Sequence, residues 1–172
     1  MKGETMKRRA LVFLILAAAA WTALAGDAKL DPGWDKLKTL VGTWEGTVAE
    51  HPGTVTVTYK LVSNGTSLME TLDVPDHSQT MITMYAPDAP NGRIVATHYC
   101  AAGNQPRMAA KGLKGDTLDF RFLDATNVSD RNGDFMRSLV VTFQDADHFR
   151  QSWTSREDGK DHTGTFAYVR KR

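Results

Sequence analysis

The chain has 172 residues, 41% of them hydrophobic and 24% charged, which fits one ordinary globular domain and excludes a disordered or low-complexity chain. Lys plus Arg number 21 against 20 for Asp plus Glu, so a net charge of +1 gives no electrostatic reason to expect nucleic acid or an anionic membrane surface as partner. The single cysteine, Cys100, excludes an intrachain disulfide framework and a four-thiolate zinc site.

Residues 1–25 read as a cleaved secretory signal peptide. Lys2, Lys7, Arg8 and Arg9 make a basic start, Ala10 to Trp21 is an unbroken apolar run, and Ala23-Leu24-Ala25 is an A-x-A site before Gly26. Met1 or Met6 serves equally as the start. The apolar run is too short for a comfortable membrane span. The expectation is an exported protein, periplasmic or secreted, with residues 26–172 as its one domain and no stable membrane insertion.

Asp31 is placed to cap a short helix with Pro32 at its first position, running to Val41, with Trp34, Leu37, Leu40 and Val41 on one face. Gly42 stops it. The apolar period then changes from helical to two. Thr54–Leu61 alternates strictly, with Val55, Val57, Tyr59 and Leu61 on one side. Turn signals such as Asn64-Gly65, Ala102-Gly103-Asn104 and Asp158-Gly159 punctuate the rest. Segments between turns give ten strands, near 43–50, 54–62, 67–74, 79–86, 93–100, 106–113, 116–124, 134–144, 147–155 and 161–170. An all-β, ten-stranded antiparallel up-and-down barrel after one short helix follows, since closure also removes exposed strand edges.

With the more apolar face of each strand turned inward, four polar residues fall inside: Glu70, His98, Arg137 and Gln151. Each needs a partner or a ligand, because an unpaired buried charge is costly. A Glu70–Arg137 pair inside the barrel meets that need, and a register slip of one residue would turn each outward. The hairpin Gly103–Arg107 adds Asn104, Gln105 and Arg107 beside His98 and Cys100, a set suited to a carboxylate or phosphate headgroup. The expected function is therefore binding of a small molecule, amphiphilic or anionic, by Glu70, His98, Cys100, Asn104, Gln105, Arg107, Arg137 and Gln151. An enzyme using His98, Cys100 and the Asn104–Arg107 loop is the alternative. The histidines match no metal-binding spacing, so no metal is expected.

Gly42-Thr43-Trp44-Glu45-Gly46 resembles the start of the first strand in the calycin superfamily, where G-x-W is the lipocalin signature, and its Gly46 extension is closer to the nitrobindin branch. The resemblance implies structural roles for Gly42, Trp44 and Gly46, with Trp44 closing one barrel end beneath Arg170 or Lys171. Nitrobindins hold haem through a histidine of the last strand. Here the corresponding position falls near Gly164 or Phe166, with His162 two residues early and His98 or Cys100 as other ligands, so haem is the alternative to an expectation of no cofactor. The stretch from Thr97 to Met108, with Asp124–Asn127 and Trp153–Lys160, is similar to an exported bacterial family of unknown function.

Overall fold

The computed structural model describes residues 31–48, 51–74, 79–129 and 133–172. The signal-peptide segment lies outside the described residues. One helix, α1 (Pro32–Lys38), precedes ten strands: β1 (Gly42–Val48), β2 (His51–Val62), β3 (Ser67–Val74), β4 (Gln79–Asp88), β5 (Arg93–Tyr99), β6 (Gln105–Ala110), β7 (Thr117–Thr126), β8 (Phe135–Phe143), β9 (His148–Glu157) and β10 (Lys160–Arg170). Every strand pairs antiparallel with its neighbour in sequence, and β1 pairs with β10 to close the barrel. No helix among the described residues is long and apolar enough to cross a membrane.

The helix seals one end of the barrel. Asp31 accepts from the Gly33 amide at 2.7 Å and Pro32 starts the first turn, where its missing N–H is no loss. Trp34, Leu37 and Leu40 are buried against the barrel end, each contributing about 1.5–3 kcal/mol of apolar burial. The helix stops at Lys38 rather than Val41. The carbonyls of Thr39 and Val41 instead accept from the Arg170 guanidinium, and Val41 is exposed. That guanidinium lies 4.0 Å from the Trp44 ring, while Trp44 is buried and donates to the Leu40 carbonyl at 2.7 Å. Of the two basic residues considered for this stack, Arg170 makes it, with cation–π attraction added to its hydrogen bonds.

Inside, the helix-side half of the barrel is filled by aromatic rings. Phe149 meets Trp44 edge-on at 4.7 Å and stacks on Tyr168 at the same centroid distance. Gly46 makes room for this cluster, because a Cβ there would run into the Tyr168 ring.

Register is not continuous along every strand. On β7, Leu123 is the extra residue of a bulge where Arg107 pairs with Asp124 but Met108 pairs with Phe122. On β8, Arg137 is the extra residue between Met136 and Ser138. Bulges of this kind locally disrupt the ladder and re-aim the side chain they carry.

Candidate functional site

The register places four polar residues side by side on the inner wall. Tyr59 pairs with Glu70, Glu70 with Thr83, and Thr83 with His98, across β2, β3, β4 and β5. All four are buried, and so is Gln151 on β9. Oε2 of Glu70 accepts from the Tyr59 hydroxyl at 2.7 Å, the Tyr85 hydroxyl at 2.6 Å and the Gln151 amide at 2.8 Å. Gln151 also donates to Tyr59 and accepts, through a long 3.3 Å bond, from the Trp153 indole.

Among the described residues, no cation stands beside Glu70. Arg137 stands at the β8 bulge, half-exposed, over the Phe135 ring at 5.7 Å. The expected Glu70–Arg137 pair is thus absent, because the bulge breaks the parity that placed Arg137 inward. Burial raises the pKa of Glu70, and the three donors oppose that rise without cancelling it. Burial raises the Tyr59 and Tyr85 hydroxyls well above their usual range, with Glu70 adding to the effect. Tyr168 rises the same way, and its buried hydroxyl has no hydrogen-bond partner.

His98 sits one register step beyond this cluster. Its Nδ1 meets the Thr83 hydroxyl at 3.0 Å, and its ring lies 4.8 Å from that of Trp153, which reaches across the lumen from β9. Its Nε2 is buried without a partner. Burial lowers the pKa of His98 to about 4, so the ring is neutral at pH 7.

The inner wall is not sealed throughout. Most inward apolar side chains are buried, whereas Val74, Met81, Met136 and Phe166 are only partly buried. Gly164, the register partner of Trp153 on β10, is partly exposed, and a Cβ built on it meets nothing within 4 Å. Trp153, on the same inner face, is 6% exposed.

The hairpin residues do not join the inner-wall cluster as expected. Gln105 binds the Gly103 carbonyl and the Thr126 hydroxyl, and Arg107 forms a two-pronged pair with Asp124 on the exposed outer face. Asn104 is buried, donates to the Asp134 carbonyl at 2.8 Å, and leaves its Oδ1 unpartnered. Cys100 lies just past the end of β5, where its backbone closes a turn with Gly103 and Asn104. The structure therefore brings Glu70, His98 and Gln151 together and sends Arg137, Gln105 and Arg107 elsewhere. Tyr59, Tyr85, Thr83 and Trp153 complete the cluster. They were legible only as apolar or β-prone inward positions, although an inward tyrosine or tryptophan carries a polar group that needs a partner.

The donor set does not fit an axial haem ligand. At the depth of Trp153 the β10 position is Gly164, His162 is exposed at the strand start, and the His98 ring is buried and packed against the Trp153 indole. No group of three or more potential metal-binding side chains occurs among the described residues.

Two concave regions lie on the outer wall. One, of about 290 Å³, is bordered by Arg93, Lys111, Lys114, Arg121 and Leu123. The other, wider and more open, shares Arg93 and Leu123 with it and runs toward Pro87 and Arg107. Arg93, Arg107 and Arg121 are already paired with Asp88, Asp124 and Asp119.

No protein-family model matches the chain, and no curated protein matches it. The closed ten-stranded antiparallel barrel is compatible with a calycin-like fold.

Proposed function

We propose that this protein is an exported, calycin-like barrel that binds the apolar part of a small molecule in a funnel bounded by Val74, Met81, Met136, Phe166 and Gly164, with Trp153 as its floor. The observation that carries the reading is the contrast between two inward glycines. The space at Gly46 is taken by Tyr168, whereas the space at Gly164 is empty. A barrel with filled strands throughout has no reason to leave an inward position vacant beside a tryptophan. Concave, mostly apolar sites with a few polar groups are where small ligands bind.

The chemistry of the walls narrows the ligand. Met81, Met136 and Phe166 suit an aliphatic or aromatic body. With Arg137 outside, the inner cluster has a carboxyl group of raised pKa and a neutral imidazole but no cation. An anionic headgroup gains nothing there and belongs at the rim, in water.

Titration with Nile red tests the reading. Saturable, one-to-one fluorescence enhancement is expected, reduced at least tenfold in affinity by Gly164→Leu, which fills the vacant position. Binding that is unaffected by Gly164→Leu in a folded variant contradicts it.

A further inference from the structure

We propose that the floor of the funnel covers a second, polar position, formed by Nε2 of His98, that takes a hydroxyl group carried on an apolar ligand and is reached when the Trp153 indole turns aside. This rests on the funnel reading above and goes one step deeper, to the class of polar group the ligand carries.

Three observations converge on it. The first is the orphan nitrogen. His98 is 3% exposed, its Nδ1 is committed to Thr83, and its Nε2 has no partner. An unsatisfied buried polar atom of this kind costs about 1–3 kcal/mol, so its retention calls for a physical reason. A ligand that supplies the missing bond is such a reason.

The second is the cover. The Trp153 ring packs against the imidazole, with centroids 4.8 Å apart and planes tilted by 46°. The indole is held by one polar contact, the 3.3 Å bond to Gln151, which is longer than a normal N–H···O bond. The third is room to move. The vacant position at Gly164 lies directly across the β9–β10 ladder from Trp153. An indole displaced toward it moves off the imidazole into unoccupied space.

The kind of polar group follows from the same atoms. A neutral imidazole presents at Nε2 either an N–H or a lone pair, depending on how Thr83 uses its hydroxyl. A hydroxyl satisfies either, since it both donates and accepts. Asn104, opposite Cys100 at the end of the same hairpin, is a further buried residue with an unpartnered acceptor, Oδ1. A carboxylate satisfies only the N–H form. It cannot donate to Asn104, and it would enter a space already holding Glu70, with no cation among the inward residues described.

Three probes of one shape test this: 1-naphthol, 1-methoxynaphthalene and 1-naphthoate, titrated against the full protein by calorimetry. The expected order is 1-naphthol at least tenfold tighter than the methoxy compound, with 1-naphthoate weakest, and the naphthol advantage lost in His98→Phe. In case that variant does not fold, the imidazole nitrogen resonances of wild-type His98 provide a second readout. Nε2 should shift on adding 1-naphthol and stay in place with 1-methoxynaphthalene. Equal affinity for naphthol and its methyl ether, or tightest binding of naphthoate, overturns the hydroxyl position and leaves the funnel standing. Failure of all three probes to bind overturns the funnel as well.

Discussion

Two buried titratable groups in one cluster give the barrel opposing responses to pH, and these can be separated. His98 is held neutral by burial, its pKa lowered to about 4, whereas an unfolded histidine titrates near ~6.5. Between those values the unfolded chain binds a proton that the folded protein does not, so this contribution to stability is lost as the pH falls. A separation of about 2.5 pKa units corresponds to about 3 kcal/mol by about pH 4. Glu70 acts with the opposite sign. Its raised pKa means that the folded protein keeps a proton the unfolded chain has released. That contribution is present at low pH and is lost as the pH rises from the usual carboxylate range through the raised value. In the wild type the two slopes oppose each other. Glu70→Gln removes the second and keeps an acceptor for Tyr59 and Tyr85; adding His98→Gln removes the first. Urea unfolding followed by circular dichroism, from about pH 8 to about pH 4, gives the stability gap between Glu70→Gln and the double variant. That gap should move by about 3 kcal/mol across the range, with the variant that retains His98 losing ground in acid. A gap that stays constant refutes the placement of a neutral, sealed His98.

The remaining predictions concern packing and charge. Gly46→Ala should destabilise by about 1–3 kcal/mol because the Tyr168 ring must move, whereas Gly164→Ala should change stability by under about 0.5 kcal/mol; thermal melts of the two variants compare them directly. Arg170→Ala should lower stability by about 2–3 kcal/mol, since it leaves the Thr39, Val41 and Ala146 carbonyls unbonded and uncovers Trp44. Arg170→Lys should restore only part, because an ammonium cannot span those carbonyls as a fork. Arg107→Ala breaks an exposed pair with Asp124 and should cost less than about 1 kcal/mol, with no change in Nile red affinity. Arg137→Met combined with Glu70→Gln should be additive within about 0.5 kcal/mol in urea unfolding, since the two side chains do not touch.

Much of the fold was written in simple periodicities. Val55, Val57 and Tyr59 alternate with threonines and do face inward, and Asn64-Gly65, Ala102-Gly103-Asn104 and Asp158-Gly159 do fall between strands. Glu70, His98 and Gln151 were legible for the same reason, as polar side chains on an apolar parity. The parity argument failed where it must, at a bulge. One extra residue at Arg137 re-aims that side chain while leaving Leu139, Val141 and Phe143 on the face where alternation put them, so nothing in the sequence marks the change. The hairpin from Gly103 to Arg107 misled for a different reason. Its polar side chains look available, but Asp124, Thr126 and Asp134, distant in sequence, take up their hydrogen bonds. The tyrosine hydroxyls were hidden in plain composition, since Tyr59 and Tyr85 count as apolar until a carboxylate is found between them.

The most direct test of the account is a crystal structure of the protein with 4-bromo-1-naphthol, in which the anomalous signal of bromine locates the ligand without interpretation of weak density. The account predicts one bromine site inside the barrel, among Met81, Met136 and Phe166, with the naphthol oxygen toward His98. A bromine on the outer wall between Arg93 and Leu123, with the lumen unchanged, would contradict it.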